Sequence, residues 1–253
     1  MKKFLFVILL IIYCLQLTAQ RSELQIPQVS KHDKILVREG YTLCYNEQYR
    51  LAQWVAWVLT AQETHGTFDR FKCVFEPDPN VENSADQSDY YSTGYDRGHL
   101  VPAGDLEFSE KAMQESFYFS NISPQNPKFN RGIWKRLENL CRKWAVEYDS
   151  VFIVCGPVLK KQELSTIGVH KISVPEYFYK VIMRIGKDGE YYAVGFVLPN
   201  EDSNAKLSSK AMTVNEVEKI TGLDFFYRLP NKIERKMEKS ICKECWDWRE
   251  TKH

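Results

Sequence analysis

The feature that most limits the fold is a pair of apolar runs joined by a very short turn. Tyr177–Ile185 and Tyr191–Leu198 flank a Lys-Asp-Gly turn at 187–189, and Asp-Gly between apolar runs predicts a tight β-hairpin. Tyr41–Asn46 and Tyr49–Thr60 are rich in Tyr, Val, Leu and Trp and predict a second hairpin. Because hairpins join neighbouring antiparallel strands, the sequence predicts an α+β fold with a mainly antiparallel sheet and packed helices.

Several other segments have clear periodicity. Ser109–Ser116 predicts a helix capped by Ser109, Val151–Leu159 predicts a buried strand, and Thr213 begins a helix that ends at Gly222. The segment after Asn121 contains two prolines, so we expect irregular structure there. From Arg131 onward apolar residues recur at helical spacing, and this stripe consists of Ile133, Leu137, Leu140 and Trp144.

The N-terminus has the composition of a targeting sequence. Lys2 and Lys3 precede the apolar run Phe4–Leu17, and small residues follow before Gln20. This pattern predicts a cleavable signal peptide at residues 1–19 and a secreted or periplasmic protein, typical of a bacterium. The run is shorter than the roughly 20 residues of a membrane span, so we expect no membrane anchor in the mature chain. We expect residues 20–253 to form one domain with a core at about 45–230.

The prediction of an exported protein also affects how the cysteines are interpreted. In an exported chain an even number of cysteines suggests disulfides, and the sequence leaves their pairing open. Cys242 and Cys245 have the spacing of a redox or zinc motif, but no second pair supports a metal site, which favours a structural bridge or free thiols. After removal of Cys14 the six remaining cysteines are Cys44, Cys73, Cys141, Cys155, Cys242 and Cys245.

The unbroken tetrad Asp96-Arg97-Gly98-His99 indicates chemistry rather than packing. The imidazole of His99 suits a general base near neutral pH. Arg97 offers a planar donor fork that matches phosphate, and Gly98 lets the backbone turn tightly between them. Asp96 either orients these groups or forms a surface ion pair with Arg97 worth under about 1 kcal/mol.

A second polar group begins about 30 residues later. Asn130 either caps the following helix or ligates Mg²⁺ through its amide oxygen. Glu138, about 80° further around a helix, flanks the buried stripe and could hold the metal through a water. Arg142 either contacts phosphate or pairs with Glu138 at i,i+4 spacing.

Positive charge is concentrated in this second group, although the whole chain has a formal net charge of only +1. Such a patch suits sequence-independent phosphate contacts, and the alternative is a solvated helix face. We expect Lys128, Arg131 and Lys135 to bind substrate together with Arg97 and Arg142. The patch consists of Lys128, Arg131, Lys135, Arg136, Arg142 and Lys143 against the single acid Glu138.

These motifs in this order resemble the DNA/RNA non-specific endonucleases, the endonuclease G-like group with a ββα-metal (His-Me finger) site. The resemblance rests on the tetrad, on Asn121–Gln125, on Asn130 and on Arg136-Leu137-Glu138. It continues more weakly through Cys155-Gly156-Pro157 to Thr221-Gly222-Leu223 and covers about residues 45 to 230.

The resemblance implies a role for each matching residue. His99 is the general base, Asn130 the direct ligand of Mg²⁺ (Mn²⁺ is also possible), and Glu138 a ligand through water. Arg97 and Arg142 contact phosphate, whereas Asn121 and Gln125 support the metal-site loop. A further arginine expected before the tetrad stays unassigned, since the alignment is ambiguous among Arg70, Lys72 and Cys73.

The implied substrates are DNA and RNA, read through the backbone because the chain has no base-reading motif. Protonation of the leaving 3′ oxygen predicts 5′-phosphate and 3′-hydroxyl products. Two alternatives remain open, an exported nucleic-acid-binding protein that does not cleave and a phosphodiesterase for small substrates. A homodimer is possible, but nothing in the sequence shows it.

Overall fold

The computed structural model describes residues 23–160 and 163–250. The expected signal peptide at residues 1–19 therefore lies outside the described residues. Within the described part, no helix is both long and apolar enough to cross a membrane.

The centre of the molecule is a six-stranded sheet in the order β1-β2-β3-β6-β9-β10, with antiparallel pairing throughout. Both predicted hairpins lie in it, which confirms the α+β fold. The strands of the described residues are β1 (Lys34–Val37), β2 (Thr42–Asn46), β3 (Leu51–Thr60), β4 (Asp96–His99), β5 (Ile122–Gln125), β6 (Ser150–Pro157), β7 (Thr166–Ile167), β8 (Ile172–Ser173), β9 (Tyr177–Ile185) and β10 (Tyr191–Pro199).

The helices cover both faces of this sheet. Their bounds are α1 (Glu110–Ser116), α2 (Pro127–Phe129), α3 (Lys135–Tyr148), α4 (Leu207–Lys210), α5 (Val214–Thr221) and α6 (Asn231–Glu238), and a π-helical turn, Asn130–Trp134, joins α2 to α3. Ser109 caps α1 through the Ala112 N–H. Gly222 ends α5 in the left-handed conformation at φ 76°, which glycine adopts at little cost.

Strand alternation divides the core into two layers. Val55 and Ile153 face the side where the predicted stripe of α3 packs, including the fully buried Leu137 and Trp144. Their strand neighbours face the opposite side and pack against α5 and α6. The stripe predicted from periodicity thus docks α3 on the sheet and leaves its polar flank uncovered.

The segment expected to be irregular is partly a strand. β5 pairs with β4 in a two-stranded ribbon, with Pro124 opposite Arg97 and Ile122 opposite His99. Proline lacks a donor but is tolerated in a strand that has a free edge. Two prolines therefore did not prevent pairing at Ile122–Gln125, and our expectation there is wrong.

The predicted helix also begins earlier than Arg131. The first cap is Asn126, whose side chain accepts a hydrogen bond from the Lys128 N–H, with Pro127 at the first helical position. Asn130 has helical angles of φ −56° and ψ −50°, so it is not an N-cap. The π-helical turn that follows changes the rotation between Asn130 and Glu138 from the value expected for one regular helix.

Only part of the disulfide prediction is correct. Cys242 and Cys245 form a disulfide, whereas Cys44, Cys73, Cys141 and Cys155 are free thiols. Three of these, all except Cys73, are buried, where a thiol acts as a small apolar side chain. The disulfide begins the C-terminal strap, which we define as residues 240–250 and which packs on α3 and the sheet.

Candidate active site

Residues from three elements meet at one cavity of 300 Å³. The β4 strand contributes Arg97 and His99, the π-helical turn contributes Asn130 and Arg131, and α3 contributes Lys135, Glu138 and Arg142. The tetrad and the Asn130 group, distant in sequence, therefore share one cleft. The cavity wall is completed by Arg70, Pro102, Ala103 and Gly104.

The β4–β5 ribbon fixes the position of the tetrad. Asn121 is fully buried, accepts the Val101 N–H at 3.0 Å and donates to the Val101 and Ser116 carbonyls at 3.1 and 2.9 Å. A Cβ on Gly98 would lie 2.1 Å from Oε1 of the buried Gln125. Asn121 thus holds the loop through its hydrogen bonds, Gln125 packs closely against Gly98, and neither side chain lines the cavity.

His99 lies between aromatic rings at the inner wall of the cavity. Its ring centroid is 5.4 Å from that of Phe75 and 4.9 Å, edge-on, from that of Phe117. Its Nε2 atom has no hydrogen-bond partner among the described residues. Desolvation, followed by the positive charge of Arg70, lowers the pKa of His99 to about 3. The imidazole is therefore neutral at physiological pH, as a proton acceptor must be.

Asp96 orients the side chain of Asn130. The Nδ2 of Asn130 donates to Oδ2 of Asp96 at 2.9 Å. Arg131 holds the same carboxylate through two hydrogen bonds of 2.9 and 2.7 Å. Because the amide nitrogen is committed to Asp96, the amide oxygen of Asn130 is left to ligate a cation. Asp96 pairs with Arg131 rather than with its neighbour Arg97.

Glu138 and Arg142 line the cavity from α3. Desolvation raises the pKa of Glu138 to about 7, against the opposing charges of Lys180 and Arg142. Arg142 donates to the buried Asp105 at 2.6 Å. Asp105 also accepts the Trp57 indole N–H at 3.1 Å. This buried acid, which the sequence analysis did not select, holds the Arg142 side chain at the cavity.

The structure places Arg70, rather than Lys72 or Cys73, at the cavity. Arg70 and Arg97 form the outer wall together. The Arg97 guanidinium stacks 4.6 Å from the Phe75 ring centroid and donates to Gln87 at 3.4 Å. The Arg70 guanidinium lies 5.9 Å from the Phe117 ring centroid. Of these three residues only Arg70 lines the cavity, and its contact with phosphate stays a prediction.

The predicted basic patch is divided between two surfaces. Arg131, Lys135 and Arg142 line the cavity. Lys128 does not, and its ammonium lies 3.4 Å from Asp202 instead. Arg136 pairs with Glu250, and Lys143 pairs with Asp247 at 2.6 Å. Lys128 thus lies outside the cavity, because residues close in sequence project to different sides of a helix, and its expected contact with substrate stays a prediction.

A buried lysine beneath the cavity was also missed. Lys180 on β9 has no exposed surface, and its Nζ has no hydrogen-bond partner among the described residues. The ammonium lies 5.1 Å from the Trp57 ring and 4.4 Å from the Trp134 ring, where cation–π attraction offsets part of the desolvation cost. It also adds positive charge near Glu138.

A separate group with metal-binding potential lies away from the cavity. The donor atoms of Asp86, Asp89 and His170 lie within 4.8 Å of one another. Asp89 already accepts the backbone N–H groups of His170 and Asp86 at 3.0 and 2.9 Å, and the His170 Nδ1 lies 2.7 Å from it. The group could hold an ion, but its present bonds link the loop before β4 to the β7–β8 hairpin.

Comparison with known proteins decides the family. The sequence profile described as "DNA/RNA non-specific endonuclease" matches residues 21–232. The chain belongs to this family. The resemblance drawn from the tetrad, Asn130 and Glu138 is thereby confirmed. Members of the family depend on a metal ion.

Individual relatives agree with this assignment. The mitochondrial nuclease EXOG of Xenopus laevis is 38% identical over 205 residues, which are 75% of this chain and 57% of that protein. Human mitochondrial endonuclease G is 32% identical, covering 78% of this chain and 70% of that protein. Nuclease C1 of Cunninghamella echinulata var. echinulata is 36% identical, with coverages of 77% and 83%. The chain spans a little over half the length of the EXOG relatives.

A solved structure shows the same fold. The crystal structure of an EndoG/EndoGI complex superposes with a TM-score of 0.78 at 30% identity, covering 85% of this chain and 94% of that one. The relatives also correct one expectation. The EXOG and endonuclease G proteins are mitochondrial, which contradicts our expectation of a secreted or periplasmic bacterial protein.

Proposed function

We propose that this protein is a metal-dependent, sequence-non-specific endonuclease that hydrolyses phosphodiester bonds in DNA and RNA. The observation that carries the proposal is the meeting of His99 and Asn130 in one cavity walled by arginines. A binding protein has no need of a neutral, unpartnered imidazole beside an oriented amide. A protein for small substrates has no need of so many cations around one phosphate.

The residues present fit a divalent cation. Asn130 offers an amide oxygen oriented through Asp96, and Glu138 offers a carboxylate in the same cavity. Hard cations such as Mg²⁺ prefer oxygen ligands and retain several waters, so one direct protein ligand and one water-mediated ligand suffice. We assign these roles to Asn130 and Glu138, with Mg²⁺ as the cation and Mn²⁺ as an alternative.

The remaining residues supply the rest of the chemistry. His99 accepts a proton on its imidazole ring from the attacking water, whose oxygen forms the new bond to phosphorus. Arg97, Arg142 and Arg70 donate to the phosphate oxygens and stabilise their charge. When bound, the metal ion neutralises charge on the phosphate and on the leaving oxygen. The P–O3′ bond breaks, the leaving O3′ takes a proton from a second water, and the products carry 5′-phosphate and 3′-hydroxyl ends.

Digestion of supercoiled plasmid, linear DNA and RNA in added Mg²⁺, with end-group analysis, tests this function. We expect nicking of the plasmid, degradation of both polymers and complete inhibition by EDTA. His99→Ala should keep its melting temperature and its DNA affinity while cleavage falls at least about 100-fold, the usual scale of general-base catalysis.

Three results would contradict the proposal in different ways. Near-normal cleavage by His99→Ala would remove the assigned base. Binding of DNA without any cleavage by the wild-type protein would favour a capture protein. Hydrolysis of a chromogenic diester without hydrolysis of polymeric DNA would favour a phosphodiesterase for small substrates.

A further inference from the structure

One aromatic ring beside the cavity projects into solvent. Phe71 is 89% exposed, the highest value among the large apolar side chains of the described residues. No ring or cation within residues 23–160 and 163–250 stacks on it. Because burying such a ring is favourable, a fold that leaves it open provides a surface for a ligand.

The turn that carries Phe71 is firmly held. Asp69 accepts the Phe71 N–H at 2.9 Å and caps the Arg70–Lys72 turn. The neighbouring rings of Phe68 and Phe75 turn inward, where they pack against the buried cluster of Ala103, Met113 and Phe117. Phe71 therefore projects from an anchored turn, so little backbone entropy is lost when a ligand covers its ring.

The position of the ring is set by its neighbours in sequence. Arg70 lines the cavity with His99, and adjacent Cα atoms lie about 3.8 Å apart. Phe71 does not itself line the cavity, but its backbone is directly adjacent to that of a cation that we assign to phosphate. Lys72, on its other side, is also exposed. An aromatic ring between two cations suits a nucleic acid strand, whose phosphates alternate with flat bases.

We propose that Phe71 stacks on an unpaired base next to the phosphate in the cavity, and so favours single-stranded or unwound substrates. This inference rests on the proposed function. Bases inside a duplex are covered on both faces by neighbouring base pairs, so only an unpaired or extruded base can present a face to the ring. Stacking tolerates any base, in agreement with cleavage that does not depend on sequence.

The first test compares a short single strand with the same sequence closed into a hairpin duplex. Phe71→Ala should raise KM for the single strand about tenfold, the scale of one lost base–aromatic stack, with kcat and the melting temperature unchanged. KM for the duplex should change little, and Phe71→Trp should restore the single-strand KM. Val37→Ala, which shortens an apolar side chain that is 74% exposed on β1, is the control and should alter neither substrate.

The second test does not require cleavage. In the His99→Ala protein, anisotropy with strands carrying one abasic site at successive positions should reveal one position where the missing base weakens binding about tenfold. In the double variant His99→Ala/Phe71→Ala, the affinity should not depend on whether the base at that position is present. The stack would be overturned if abasic sites at all positions left the affinity of the His99→Ala protein unchanged. It would also be overturned if Phe71→Ala raised KM equally for the single strand and the duplex. A position-dependent loss in a protein that never cleaves would support the stack and contradict the hydrolytic function.

Discussion

Asp96 shows how one residue acquires a role that its neighbours in sequence do not reveal. Next to Arg97 in the chain, it suggests an ordinary ion pair. In the structure it instead binds Asn130 and Arg131, which come from the other half of the site. The partner of Asp96 depends on how β4 docks against the π-helical turn. Contacts of this kind between distant segments cannot be recognised from local composition.

Asp96→Asn tests whether this contact prepares the metal ligand. The substituted amide can present nitrogen as well as oxygen to Asn130, so the orientation of the Asn130 amide is no longer fixed. We expect the Mg²⁺ concentration for half-maximal cleavage to rise about tenfold, as for other groups that orient metal ligands, with kcat at saturating Mg²⁺ largely retained. Titration of activity with Mg²⁺ measures this.

Arg131→Gln is the matched control for that experiment. It removes the second partner of Asp96 but leaves the contact between Asp96 and Asn130 intact. Its Mg²⁺ requirement should therefore shift less than that of Asp96→Asn. An equal shift in both variants would mean that charge at the cavity rim, rather than amide orientation, controls metal binding.

At the scale of elements, α3 was predictable and its surroundings were not. The spacing of Ile133, Leu137 and Trp144 predicts the helix and its buried face, because periodicity is a local property. The π-helical turn before it and the pairing of β5 with β4 depend on contacts between distant segments. The candidate residues were therefore identified from type and order, while the positions of Arg70 and Lys128 required the fold.

The C-terminal strap is the element that most supports α3 from outside the sheet. Trp246 is 4% exposed, and its ring lies 4.5 Å from that of Trp144 on α3. The Trp144 indole also donates to the Asp247 carbonyl at 2.8 Å. Arg136 forms an ion pair with Glu250 of the strap, and Lys143 forms one with Asp247. These contacts explain why Arg136 and Lys143, two of the six basic residues of the patch, are unavailable at the cavity.

Trp246→Ala should destabilise the protein without altering its chemistry. Removing a buried tryptophan costs about 3–5 kcal/mol, which lowers the melting temperature by on the order of 10 °C in a chain of this size. Well below that temperature, kcat should stay near the wild-type value, because Glu138 and Arg142 lie on another face of α3. Val146→Ala, on an exposed position of the same helix, should lower the melting temperature far less. A large loss of kcat in a folded Trp246→Ala protein would show that the strap helps to position the site.

At the scale of the whole molecule, the layer opposite the active site contains a group of acidic side chains whose negative charges repel one another. Glu238 on α6 is 5% exposed, and its Oε1 has no hydrogen-bond partner among the described residues. Desolvation, followed by the charges of Glu218, Glu234 and Asp224, raises its pKa to about 8. Burial also raises the pKa of each of these three neighbours. We therefore expect the docking of α5 and α6 on the sheet to depend on pH.

The sign of this dependence follows from the direction of the shift. The folded-state pKa of Glu238, about 8, lies above its ordinary value of 4.5, so the folded protein holds this proton more tightly than the unfolded chain does. The resulting stability is fully present below pH 4.5 and is lost as the pH rises toward 8. Glu238→Gln keeps the neutral form at every pH. Its melting temperature should match that of the wild type near pH 4.5 and exceed it by a few degrees above pH 8. Thermal unfolding across this range, with the exposed Glu201→Gln as control, measures the difference, and a constant offset at all pH values would contradict the assignment.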